Sequence, residues 1–69
     1  MTFTTTKYEF AHGRKPKGRG NWAFEILGTD GVKRGDTFWA NDTYAGARKQ
    51  AEVHARAIVG RHGTVVVGS

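Results

Sequence analysis

The residues best suited to chemistry are four cations within one short stretch. Residues 12–20 read His-Gly-Arg-Lys-Pro-Lys-Gly-Arg-Gly and contain no acidic residue. The chain has 11 Lys and Arg against 6 Asp and Glu, so nearly all of its formal net charge of +5 lies in this stretch. Clustered cations attract phosphates and other anions. We call residues 12–20 the basic segment and predict that its cations, Arg14, Lys15, Lys17 and Arg19, contact a polyanion.

Residues that could perform catalysis are few and scattered. The chain has no cysteine, its only serine is Ser69, and its three histidines are His12, His54 and His62. Nothing in their spacing brings a base to a nucleophile, and the spacing of zinc ligands is absent from the sequence. We therefore expect a non-enzymatic protein without a metal or cofactor.

The elements that must position the basic segment follow from hydrophobic periodicity. Alternation of apolar and polar residues predicts strands over 6–12 and 21–28, which makes the basic segment the tip of a hairpin. Residues 1–6 are either a frayed lead-in or the start of the first strand. The second strand places Trp22, Phe24 and Ile26 on one face.

Beyond the second strand, an Asp30-Gly31 turn leads to a third strand over 36–41. Its adjacent Phe38 and Trp39 cannot both point into the core, because successive strand residues face opposite sides. We expect Phe38 to point inward and Trp39 to lie on the open face, and the reverse orientation remains the alternative.

The spacing of apolar residues then changes from the alternation of a strand to the period of a helix. This pattern predicts a helix over residues 44–59, with Asp42 or Thr43 as the N-cap and Gly60 just past its end. Its buried stripe comprises Tyr44, Ala47, Ala51, Ala55 and Ile58. Residues 64–67 are β-prone and could add a short fourth strand. The predicted fold is a single α+β domain over 1–69, a three-stranded antiparallel sheet packed on one C-terminal helix (β-β-β-α).

Part of the basic segment resembles a known DNA-binding motif. Residues 16–20, Pro-Lys-Gly-Arg-Gly, resemble the AT-hook core Pro-Arg-Gly-Arg-Pro, with Lys17 in place of the first arginine and Gly20 in place of the closing proline. The resemblance implies that Gly18 and Arg19 lie in the narrow minor groove of A·T-rich DNA. The alternative is a solvated loop whose charge aids solubility.

The second strand carries a broader resemblance. Residues 20–26, Gly-Asn-Trp-Ala-Phe-Glu-Ile, resemble the Gly-Lys-Trp-Ala-Ala-Glu-Ile stretch of AP2/ERF DNA-binding domains. The similarity of layout to these domains covers about residues 7–67, and the design is also similar to that of the three-stranded arm-binding domains of tyrosine recombinases. The resemblance implies that the open sheet face contacts DNA in the major groove, through Asn21 and Trp39. Leu27 and Thr37 stand where that family carries arginine, which shifts the weight of binding onto the basic segment.

We therefore predict a nucleic-acid-binding domain, with DNA favoured over RNA. Lys33 and Arg34, on the second turn, would extend the footprint if they lie on the same edge. The rival hypothesis is a protein-interaction module of the kind found in phage- or plasmid-encoded adaptors and inhibitors, docking through exposed Trp39 and Leu27.

The sequence also predicts a location and a further partner. The sequence predicts neither a signal peptide nor a bilayer-spanning run. We expect a cytoplasmic protein, associated with the nucleoid if bacterial, and no membrane partner. Gly46, Val53 and Ala57 form a small apolar strip on the outer side of the helix, which suggests a homodimer.

Overall fold

A four-stranded sheet is the centre of the computed structural model, which describes residues 1–68 and leaves Ser69, the sole serine, outside the described part. The strands lie in the order β1-β4-β2-β3. Their bounds are Thr2–Thr4 for β1, Arg19–Leu27 for β2, Phe38–Thr43 for β3 and Thr64–Val67 for β4. β2 is antiparallel to β3 and to β4, while β1 pairs with β4 in parallel. Helix α1 covers Thr6–His12, and helix α2 covers Tyr44–Val59 and continues into a 3-10 turn at Gly60–His62.

This architecture confirms the predicted α+β class, including the three antiparallel strands, the C-terminal helix and the short fourth strand. The three antiparallel strands are β4, β2 and β3. The C-terminal strand β4 is therefore an inner strand of the sheet, and it takes the position that the prediction gave to residues 6–12.

The core lies between one face of the sheet and α2. Trp22, Phe24 and Ile26 of β2 are buried on this face, as their alternation predicts. Against them pack three small residues of α2 that are fully buried, Ala47, Ala51 and Ala55. Small side chains on the helix let it approach a sheet whose inner face is aromatic. The ends of the predicted stripe are less buried, since Tyr44 is intermediate and Ile58 is 41% exposed.

Both ends of α2 lie where the sequence predicts them. Thr43 is the N-cap, and its hydroxyl accepts a hydrogen bond from the backbone N–H of Gly46 at 3.2 Å. Gly60 ends the helix with a φ of 71°, a conformation that a side chain disfavours. No helix in residues 1–68 is long and apolar enough to cross a membrane.

The predicted strand over 6–12 is wrong, because these residues form α1. Only Tyr8 of this helix is buried, whereas Phe10, which would share its face in the predicted strand, is 94% exposed. Gly13 ends the helix with a φ of 69°, and its N–H donates to the carbonyl of Glu9 at 2.7 Å. The basic segment is therefore not a hairpin tip: it connects the end of α1 to the start of β2.

Candidate functional site

The C-terminal end of the basic segment is anchored through one carbonyl group. The Gly18 carbonyl accepts a hydrogen bond from the indole N–H of Trp22 at 3.1 Å. It also accepts one from the backbone N–H of Tyr44, the first residue of α2, at 2.9 Å. Gly18 has a φ of 86°, a left-handed conformation that favours glycine. The segment is thus tied to the core and to α2 just before Arg19.

A series of aromatic rings holds the other end of the segment. His12, the last residue of α1, stacks on Tyr8 with ring centroids 4.2 Å apart. The ring centroids of Tyr8 and Trp22 are 5.4 Å apart, and those of Trp22 and Tyr44, which meet edge-on, are 5.1 Å apart. Burial raises the pKa of the Tyr44 hydroxyl above its ordinary value of 10.0, against an opposing effect of the Arg48 cation. These contacts fix α1, β2 and the start of α2 relative to one another, with the basic segment between them.

A cleft of about 290 Å³ opens between α1, the basic segment and the first half of β2. The lining residues come from all three elements and from the chain just after β4: Tyr8, His12, Arg14, Lys17, Arg19, Gly20, Asn21, Trp22, Ala23 and Gly68. Of the predicted contacts, Arg14, Lys17, Arg19 and Asn21 are therefore brought together. Gly18 supplies the anchor described above rather than a wall of the cleft.

Within residues 1–68, the edge of β2 that faces the cleft has no neighbouring strand. Pairing with β4 ends at Phe24, which is opposite Val67, and the N–H of Gly68 donates to the Ala23 carbonyl at 2.8 Å. Backbone groups of alternate strand residues point to the same edge. The backbone N–H groups of Asn21 and Arg19 are consequently directed past the end of β4 towards the cleft, where they can donate to a ligand.

The cleft is strongly positive. Arg14, Lys17 and Arg19 are all exposed, and none of the described lining residues is acidic. The neighbouring carboxylate of Asp42 lies 3.9 Å from the Arg19 guanidinium, whose side chain is still 69% exposed. An exposed ion pair this long contributes little. Asp42 also accepts a hydrogen bond from the Gln50 side chain at 3.1 Å, so Arg19 remains available to an anion.

The open face of the sheet carries Trp39 beside the cleft. Trp39 is 64% exposed and lies directly opposite Ala23, which lines the cleft. Phe38 points inward, where its ring stacks on His54 with centroids 4.6 Å apart. The predicted orientation of this pair is confirmed. Asn21 pairs with Asn41 on the same face, so the exposed indole has a small residue opposite it, two amides on one side and the Glu25 carboxylate on the other.

The remaining predicted contacts are not part of the cleft. Lys15 is exposed in the basic segment but does not line it. Lys33 bridges to Leu27, at the opposite end of β2 from Arg19. Eight residue steps of about 3.3 Å separate the two ends, roughly 26 Å. Arg34 is paired with Asp30 at 2.7 Å, and the Lys33 ammonium donates to the Thr37 hydroxyl at 3.0 Å. Lys33 and Arg34 therefore do not extend the basic segment along one edge.

Sequence reasoning missed two walls of the cleft, Tyr8 and His12. Once residues 6–12 are read as a strand, these two side chains lie on one face but far apart. Their spacing of four residues is the helical signal that would have paired them. Gly13, at the position of a helix C-cap, and Glu9, in the first turn, are consistent with the same interpretation.

The strip predicted to form a homodimer is exposed only in part. Val53 is 73% exposed and Ala57 is exposed. Gly46 is half-buried, and a Cβ atom there would collide with the carboxylate of Asp42. The absence of a side chain at Gly46 is thus explained within the monomer, and the homodimer remains a prediction carried by Val53 and Ala57.

Across residues 1–68 no group of three or more His, Cys, Asp or Glu side chains could hold a metal ion. Comparison with known proteins found no matching family, no similar curated protein and no similar solved structure.

Proposed function

We propose that this protein binds nucleic acid by holding the sugar–phosphate backbone in the cleft through Arg14, Lys17 and Arg19. The observation that carries the proposal is the convergence of these three exposed cations on one cleft whose described lining contains no acid. DNA is the polymer that the AT-hook and AP2/ERF resemblances suggest. The proposal is one of binding without catalysis, and a cytoplasmic location goes with it as a prediction.

The size and chemistry of the cleft favour a phosphodiester. Its volume of about 290 Å³ is at the lower end of ligand-binding pockets. Half or more of protein contacts to DNA go to phosphate and sugar, and backbone N–H groups make them together with Arg and Lys. The edge of β2 at Arg19 and Asn21, which no strand in the described part of the chain pairs, adds such backbone donors to the side-chain cations.

The anchoring of the basic segment supports binding rather than mere solubility. Cations that serve only solubility need no fixed positions. Here the Gly18 carbonyl, with two hydrogen bonds, fixes the backbone one residue before Arg19. Holding a binding segment in place reduces the entropy lost when the ligand binds.

The test compares two triple variants with the same change in net charge. Arg14→Ala/Lys17→Ala/Arg19→Ala removes the cleft cations, and Lys49→Ala/Arg56→Ala/Arg61→Ala removes three exposed cations of α2 and the following 3-10 turn. Affinity for a fluorescent oligonucleotide is measured by anisotropy at about 0.15 M salt, where the Debye length is about 8 Å. At about 1 kcal/mol per phosphate contact, the cleft variant should lose about 100-fold in affinity.

The control variant should change affinity by less than about threefold, because long-range attraction between exposed charges is screened. Equal losses in the two variants would mean that net charge alone attracts the polymer and that the cleft is not the site. Circular dichroism of both variants checks that the fold is kept, as expected for exposed charges.

A second candidate function, docking of a protein partner, is favoured by the exposure of Trp39. An indole that is 64% exposed is an unusual surface residue and a common hot spot in protein interfaces. Leu27, the other predicted anchor, is only half-exposed and lies four residues from Ala23 along β2.

A further inference from the structure

We infer that the nucleic acid bound by this protein is single-stranded, with one base stacked on Trp39 while its neighbouring phosphate occupies the cleft. This inference rests on the proposed function and names the form of the polymer. Trp39 is a large aromatic side chain on the open face of the sheet that the core does not use, and its position relative to the cations carries the inference.

Trp39 and the cleft are adjacent. Ala23 is the residue directly opposite Trp39 across the β2–β3 pairing, and it also lines the cleft. Neighbouring strands are about 4.8 Å apart, so the indole lies one strand away from the wall of the cleft. A single strand whose phosphate is held by Arg19 and Lys17 can therefore place a base over this ring. Arrays of cations beside exposed aromatic rings are the usual site for single strands.

The surroundings of Trp39 leave its ring free and offer polar partners. The residue across from it is alanine, Asn21 and Asn41 are both exposed on the same face, and Glu25, the other diagonal neighbour on β2, is paired with Lys7. A small neighbour leaves room for a base to stack. Asparagine amides can donate to and accept from the edges of an unpaired base, which a single strand presents and a duplex hides.

The rest of the open face disfavours a duplex. Glu25 follows Ala23 on this face by two residues, and its carboxylate pairs with the Lys7 ammonium at 3.4 Å. Leu27 follows next. A duplex lying along the sheet would bring its second backbone over these two residues, which lie far from Arg19 at the other end of β2 and have Lys33, opposite Leu27, as their neighbouring cation. A single strand has only one phosphate backbone, so it needs only the half of the face that lies beside the cleft cations. The flat face of a base inside a duplex is also inaccessible to Trp39.

The experiment uses the two tryptophans as reporters. Trp39 is 64% exposed, whereas Trp22 is 7% exposed but lines the cleft, so the quenching that disappears in Trp39→Phe is the part that reports on Trp39. The ligands are an eight-residue oligothymidylate and a hairpin duplex, titrated separately into the wild-type protein. We expect strong quenching and tighter binding with the single strand, and loss of most of the quenching in Trp39→Phe.

The affinity measurements separate base stacking on Trp39 from non-specific adhesion to exposed aromatic rings. Trp39→Ala should weaken single-strand binding by about 5- to 150-fold, the range measured for removing one stacked base, and Trp39→Phe should retain most of the affinity. The matched control is Phe10→Ala, which removes another exposed ring, 94% exposed, on the side of α1 opposite Tyr8. It should leave affinity unchanged.

The outcomes distinguish the two proposals. Tight duplex binding that Trp39→Ala does not alter would overturn the single-strand inference and leave the proposed function standing. Equal losses in Trp39→Ala and Phe10→Ala would also overturn it, because the effect would not belong to the site. Binding of neither polymer would overturn the proposed function itself, and with it the inference.

Discussion

The anchoring of the basic segment predicts opposite effects for two nearby glycine substitutions. Gly18 and Gly20 both have open space where a Cβ atom would be added, since no described heavy atom lies within 4 Å. They differ in backbone conformation: Gly18 has a φ of 86°, and Gly20 is an extended residue of β2 without a positive φ. Replacing each by alanine therefore isolates the cost of the left-handed conformation.

The magnitudes follow from two effects. Replacing glycine by alanine restricts the unfolded chain and stabilises the fold by about 0.4–1 kcal/mol where the native conformation suits alanine. Gly20→Ala should show this gain. Gly18→Ala has the same gain in the free energy of unfolding, but holding a side chain at positive φ costs about 1–2 kcal/mol. Because the unfolded-state effect cancels between the two variants, their free energies of unfolding should differ by about 1–2 kcal/mol.

Thermal unfolding followed by circular dichroism measures the difference. For a domain of this size, 1 kcal/mol corresponds to about 4–8 °C in Tm, so Gly18→Ala should melt at least about 4 °C below Gly20→Ala. Urea titration of both variants at one temperature gives the difference in their free energies of unfolding at that temperature. Equal stability of the two variants, or a lower Tm for Gly20→Ala, would contradict the left-handed conformation at Gly18.

Three further substitutions test other contacts. Trp22→Phe removes the indole donor to the Gly18 carbonyl and should lower the free energy of unfolding by about 1–2 kcal/mol in urea titration, and an unchanged value would contradict the anchor. Tyr44 has a raised pKa in the fold, so its contribution to stability is complete below pH 10.0 and is lost as pH rises through the folded pKa. Tyr44→Phe should remove that part of the alkaline loss in stability measured across pH, and identical pH profiles would argue against it. Gly63→Ala adds a Cβ that collides with the Val59 side chain and should cost about 1–3 kcal/mol, so a change below about 0.5 kcal/mol would show that this turn can relax.

The parts of the fold that the sequence predicted well are those with long and unambiguous periodicity. Helix α2 has sixteen residues, a threonine N-cap and a terminal glycine, and its predicted bounds, Tyr44–Val59, agree with the structure. In β2 the alternation of Trp22, Phe24 and Ile26 identified the buried face correctly. In both cases local preference and tertiary burial favour the same structure.

Helix α1 was mispredicted because it is short and mostly exposed. With Tyr8 as its only buried residue, it has no apolar stripe, and the alternation of Tyr8 with Phe10 matches a strand. The parallel pairing of β1 with β4 joins the two ends of the described chain. Such long-range pairing leaves no local signal in the sequence. The cations of the cleft could be named from the sequence, but the cleft itself depends on α1 and on where β4 ends.

The salt dependence of binding tests the central claim most directly. Each phosphate neutralised on a single strand contributes about −0.7 to the slope of log affinity against log salt concentration, and about −0.9 on B-DNA. With three cleft cations engaged, the wild-type slope on oligothymidylate should be about −2 or steeper. Arg14→Ala/Lys17→Ala/Arg19→Ala should reduce its magnitude by about 2, while Lys49→Ala/Arg56→Ala/Arg61→Ala should leave the slope unchanged. A wild-type affinity that does not depend on salt, or the same slope in both variants, would contradict the claim that nucleic-acid phosphates bind in the cleft.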